Sequence, residues 1–181
     1  MYSDTNSLGR FLFSLLLLAL VSPLVRAQVA TLDEIKYKDD YDRIQAIMKV
    51  SDPVKRAGQM LTMYKERSDM DPKLLAYADN IFAKDLETLN KQENFTALKG
   101  LCERALKIRP RFGEVYLFRG VVLKHEGKID EAMNDFARCY MIKNPLQTKA
   151  KQLLDIAFRA KNKGSLIGEE KLIKQAIQTL K

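Results

Sequence analysis

The sequence predicts an all-α protein made of short helices packed in succession, and three observations carry that prediction. Glycine and proline are few, 8 and 5 in 181 residues, and they are scattered rather than clustered as in turn-rich β domains. Apolar residues recur at helical spacing along most of the chain, and no segment alternates convincingly as a strand would. Residues of similar character also return every 34 positions through the middle of the chain, a period that fits two helices and their turns.

Taken in order, residues 1–27 stand apart from the fold. Arg10 ends a short polar start, and Phe11 to Ser22 is almost continuously apolar. Pro23 follows, and then Val25-Arg26-Ala27 offers side chains suited to signal peptidase. That layout predicts a secretory signal cleaved between Ala27 and Gln28. The apolar run is shorter than the roughly 20 residues of a spanning helix. The expected product is an exported domain over 28–181, periplasmic in a bacterium and secreted otherwise. An uncleaved N-terminal membrane anchor is the alternative.

Beyond it the helices are marked one by one. A stretch over about 39–50 is amphipathic, and Asp39, Asp40 and Asp42 are expected at its start, facing the positive end of the helix dipole. Asp52-Pro53 and Asp71-Pro72 each pair an acidic cap with proline at the first helical position. After the first pair, Ala57, Met60, Leu61 and Tyr64 share a face. After the second, Leu74 or Leu75, Ala78, Ile81, Phe82, Leu86 and Leu89 do so. Further stripes cover about 94–108, 112–126, 130–143, 147–162 and 166–180, separated by Pro110, Gly127, Asn144-Pro145 and Gly164. Short helices with apolar stripes must bury them against each other.

The 34-residue period pairs Phe82 with Tyr116, Phe95 with Ile129, Leu98 with Ala132, Cys102 with Phe136 and Ala105 with Cys139. Pro110 and Pro145 close the two units. The best unit, 113–146, resembles the tetratricopeptide repeat: Tyr116, Gly120, Leu123, Gly127, Ala132, Phe136 and Pro145 match its aromatic, small, turn and closing positions. Gly120 and Ala132 let two helices approach, Gly127 permits the turn, and Phe136 fills the space beyond. Arg119 and Cys139 depart from the pattern. The unit 79–112 is weaker, with Leu86 and Leu98 where small residues are expected, and 33–78 and 147–181 read as atypical capping helices. The resemblance implies a short α-solenoid whose first helices line a groove for a protein or peptide.

On that implied inner surface lie Leu117 and Val121 as an apolar strip, Lys124 beside it, and Lys151, Asp155 and Arg159 one turn apart on the next first helix. Either the strip is open, or residues 147–181 cover it. Charge points the same way. Residues 98–163 carry fifteen basic and seven acidic side chains, in a chain whose net charge is +8. Export argues against nucleic acid as a partner and favours an acidic protein segment, partly apolar if it is to fit the strip, or an anionic surface, unless the basic stretch is merely solvated. A membrane is expected as a partner only if the signal is retained.

No enzyme is expected. A single histidine, His125, and two cysteines exclude multi-histidine and four-cysteine metal sites, and no nucleophile or phosphate-loop motif is present. No metal or other cofactor is implied. Cys102 and Cys139 admit two readings, a disulfide of an exported protein or two small buried thiols. Asn94-Phe95-Thr96 is a glycosylation sequon that otherwise reads as a helix cap.

Overall fold

The computed structural model describes residues 33–180, which are all-α, with eight helices and no strand. The expected signal and its cleavage point lie outside the described residues. Helix α1 covers 33–48, followed by α2 (Pro53–Glu66), α3 (Pro72–Lys91) and α4 (Phe95–Ile108). Then come α5 (Gly113–His125), α6 (Ile129–Met141), α7 (Gln147–Lys161) and α8 (Glu169–Gln178). The chain divides after Arg43, and the unit beginning at Ile44 carries everything that follows. In the unit before it, the helix is already formed at residue 33. Asp39, Asp40 and Asp42 therefore lie beyond its first turn, and the dipole account of this cluster fails.

Local chemistry explains the helix starts. Asp52 accepts from the backbone N–H of Val54 (2.8 Å) and Lys55 (3.1 Å), with Pro53 opening α2. Asp71 accepts from Lys73 (2.8 Å) and Leu74 (3.3 Å) in the same way, with Pro72 opening α3. These carboxylates satisfy N–H groups the helix itself leaves orphaned, and proline costs nothing at that position. Asn94 caps α4 by accepting from Ala97.

From α2 to α7 each helix packs against the next, and α2 also meets α4 while α3 meets α5. Two apolar cores result. One gathers Ile44, Met60, Phe82, Leu86, Leu98, Leu117 and their neighbours, with Tyr64, Phe82 and Phe112 in mutual ring contact. The other holds Leu123, Ala132, Phe136, Leu154 and Phe158. Helix α8 breaks the succession, because its body lies against α6.

Candidate functional site

The α5–α6 turn and α7 enclose a groove of about 430 Å³, lined by Lys124, Gly127, Ile129, Asp130, Ile156, Ala157, Ala160 and Lys161. Gly127 makes its upper edge possible: at φ +77° it occupies the left-handed region that side chains avoid. The residues Glu126–Lys128 then complete a tight reversal, closed by Lys128 N–H donating to the Leu123 carbonyl at 2.9 Å. On α7, Ile156 and Ala160 stand one turn apart and face the groove, and Ile156 is 57% exposed. Lys161 ion-pairs with Asp130 across it. Lys124 is exposed on the rim, and its ammonium has no ion pair among the described residues.

The residues expected on the inner surface separate into three groups. Leu117 is 1% exposed and shares the first core with Ala150 and, at its margin, Leu153 of α7. It is therefore not part of an open strip. The reason is visible along α5, where Val115, Tyr116, Leu117, Phe118, Val122 and Leu123 are all buried, so the helix is enclosed almost all round. Val121 is half-buried and packs at the margin of both cores. Of the expected α5 residues, Lys124 alone lines the groove.

Lys151 and Asp155 are committed elsewhere. They pair with each other, and Lys151 Nζ lies 2.8 Å from Glu169 Oε2 and 6.0 Å from the Tyr140 ring centre. Arg159 is exposed and its guanidinium reaches the Gly164 carbonyl at 3.4 Å, closing the end of α7. None of the three lines the groove. The face of α7 that does runs through Ile156 and Ala160, one residue on from Asp155 and Arg159, and the sequence reading missed it. Ile156 and Ala160 at i and i+4 were the available signal.

The repeat positions sit as packing demands. A Cβ on Gly120 would come within 2.6 Å of Phe136 Cε1 and 3.3 Å of the Ala132 carbonyl oxygen, so only glycine fits. Ala132 and Phe136 are fully buried, and the Tyr116 hydroxyl donates to the Pro110 carbonyl at 2.8 Å. Pro145 is exposed in the α6–α7 connection, beside Asn144, whose side chain bonds the carbonyls of Cys139 and Ile142. His125 ends α5 and stacks on Phe95 with ring centres 4.2 Å apart.

Cys102 and Cys139 are free and buried, as in the second of the two readings. Each thiol occupies its own helix's core face, where burial pushes Cys139 up to about 12 and Cys102 higher still. Such thiols are packing groups rather than nucleophiles.

Sequence reasoning also missed the ion pairs inside the stack. Arg119, the departure from the repeat pattern, donates to both oxygens of Asp135 (2.6 and 2.8 Å), which is 1% exposed. Arg138 donates to the same carboxylate at 2.8 Å, and both guanidiniums lie near the Tyr116 ring. Arg56–Asp85 links α2 to α3, and Arg109–Asp79 ties the end of α4 to α3. Bidentate pairs of this kind fix geometry as well as charge. On the surface, Lys128 and Lys99 draw the Glu126 carboxyl down to about 2.

Among the described residues no group of His, Cys, Asp and Glu is arranged to hold a metal ion, and no helix is long and apolar enough to cross a membrane. Comparison with known proteins gives no match: neither a protein family, nor a curated protein, nor a solved structure aligns with this chain. The described residues thus form an all-α succession of packed helices, with the groove as the candidate contact site.

Proposed function

We propose that this chain is an exported, non-enzymatic helical scaffold of tetratricopeptide type that binds a partly apolar, acidic segment of a protein partner. The groove between the α5–α6 turn and α7 carries the reading. It offers Ile129, Ile156 and Ala160 as contact area and an unpaired ammonium, Lys124, at the rim. Apolar contact supplies affinity, while the positive rim supplies encounter rate and orientation. Lys161 is less available because Asp130 already holds it. Export rests on the pattern of residues 1–27, and the repeat assignment rests on Tyr116, Gly120, Gly127, Ala132, Phe136 and Pro145.

The test is selection from a random peptide library displayed against the purified chain. Acidic residues next to Leu, Ile or Val should be enriched. Lys124→Glu and Ile156→Asp should each weaken the selected peptides by about tenfold, the scale of one good interface residue, with helical content unchanged. Enrichment of basic peptides, or binding by both variants as tight as by the unsubstituted chain, would remove the groove from the proposal.

A further inference from the structure

The connection between α7 and α8 holds an apolar side chain out in water. Ile167 is 91% exposed. It is not a loose tip, since the loop is fixed on both sides of it. Gly164 N–H donates to the Arg159 carbonyl at 2.8 Å, Ser165 N–H to the Asn162 carbonyl at 3.0 Å, and Glu169 N–H to the Leu166 carbonyl at 3.1 Å. Ile167 N–H itself donates to Ser165 Oγ at 3.1 Å. Gly164 (φ +89°) and Gly168 (φ +96°) supply the left-handed backbone that lets the chain reverse twice. Between them Leu166 packs against the second core while its neighbour Ile167 points outward.

Beside Ile167 the first turns of α8 frame a shallow hollow of about 560 Å³, lined by Leu166, Ile167, Gly168, Glu170, Lys171 and Lys174. Lys171 and Lys174 are exposed one turn apart, and Lys163 is exposed at the start of the loop. None of these three lysines has an ion pair among the described residues. Lys151 and Lys161, by contrast, are both neutralised nearby. In the lining of the hollow one carboxylate, Glu170, stands with two ammonium groups, Lys171 and Lys174, that have no ion pair among the described residues.

We infer that this loop is a contact for an anionic lipid surface, with Ile167 dipping into the acyl boundary and Lys171 and Lys174 holding a phosphate headgroup over the hollow. The charges are complementary to such a surface, and an apolar tip beside two unpaired lysines is the chemistry of interfacial anchoring. A folded protein partner fits less well, because a stable interface covers roughly 800 Å² on each side and one protruding side chain offers far less. An anchor of this kind is weak and reversible, so it fills when anionic lipid is in large excess over protein. This inference is independent of the groove.

The chain contains no tryptophan, which makes a site-specific probe available. In the full chain carrying Ile167→Trp, the introduced indole reports on this loop alone, whatever residues 1–32 do. Vesicles of phosphatidylcholine with one-third phosphatidylglycerol should shift its emission to the blue and expose it to a bromine-labelled acyl quencher. Pure phosphatidylcholine should not. Adding Lys171→Glu and Lys174→Glu should weaken the anionic response at least tenfold and leave the circular dichroism unchanged. Emission that ignores anionic vesicles overturns the inference, as does an equal response to neutral ones. A response to soluble polyglutamate with none to vesicles overturns it too, in favour of an acidic protein partner.

Discussion

Between α5 and α6 the chain turns in three residues, whereas between α7 and α8 it takes seven. The short turn forces α6 back along α5, and Gly120 lets Phe136 approach the helix axis where any side chain would collide. The longer loop lets α8 leave α7 and lie on α6. There only Glu169 and Ala176 are buried, and its ends are tied by polar groups. Lys151 holds Glu169 at one end. At the other, Arg138 donates to the Ala176 carbonyl (3.3 Å) and Thr179 Oγ1 (2.7 Å). One hairpin is held by close packing around a buried charge, the other by surface tethers. Stability is expected to be distributed accordingly.

The largest expected effect comes from the charge buried in the first hairpin. Asp135→Ala leaves Arg119 and Arg138 facing each other without their shared acceptor and should cost about 3 kcal/mol, since removing one partner of a buried pair is far worse than never having the pair. Asp155→Ala, in the second hairpin, should cost about 1 kcal/mol or less because its carboxylate reaches water. Urea midpoints of the two variants measure the contrast directly. Equal losses would mean that the hairpins are held alike.

The next effect uses glycine, and a control on the neighbouring helix gives it a sign. Gly120→Ala places a methyl group 2.6 Å from a fully buried ring that cannot swing away, so about 1–3 kcal/mol should be lost through overpacking. At Gly100, in the body of α4, an added Cβ meets nothing within 4 Å. Gly100→Ala should therefore stabilise by about 0.5–1 kcal/mol through helix propensity alone. Opposite shifts in melting temperature for the two alanines would locate close packing in α5–α6. A stabilising Gly120→Ala would undo the account of that hairpin.

This contrast also marks where the sequence was legible. Asp-Pro pairs and helical stripes located α2 and α3 because capping is a local interaction, settled within four residues. The approach of α6 to α5 was expected at Gly120 and Ala132, since small residues at a fixed spacing have few other uses, but the ring of Phe136, read as filling the space beyond, is what lies nearest Gly120. The groove was misplaced by one face. Periodicity says that Leu117 is apolar, but not which neighbour covers it, and α5 is apolar on nearly every side. The buried pairs were missed although a sign was present: Asp85 and Asp135 each fall within an apolar stripe, among Ile81, Phe82 and Leu86 or Ala132, Met133 and Phe136. A carboxylate at such a position requires a cation, and Arg119 stood 34 residues from Asp85 in the repeat frame. The seat of α8 depends on a seven-residue loop whose path no local signal sets.

The smallest expected effect is also the one that separates tether from packing in α8. Burial pushes the Glu169 carboxyl above its ordinary range, and the neighbouring Asp155 carboxylate adds to the shift while Lys151 opposes it. A carboxyl raised on folding stabilises below its unfolded value, near pH 4.3, and that contribution fades as pH rises through the folded value. Asp155 is shifted the other way, drawn down by its hydrogen bonds and by the charges of Lys151 and Arg159 against the pull of burial, so its contribution is lost only on further acidification. Between these limits α8 should be most firmly seated in mildly acid solution and looser at neutral pH, by about 1 kcal/mol or less, since Lys151 remains partly exposed. Amide exchange read separately for α8 and α6, corrected for intrinsic rates, would show protection in α8 falling as the pH rises from mildly acid to neutral while α6 stays constant. Glu169→Gln cannot ionise and should flatten that difference without moving α6. Loss of protection in both helices together would mean that α8 is packed as part of the hairpin beneath it, and that the tethers at its ends are incidental.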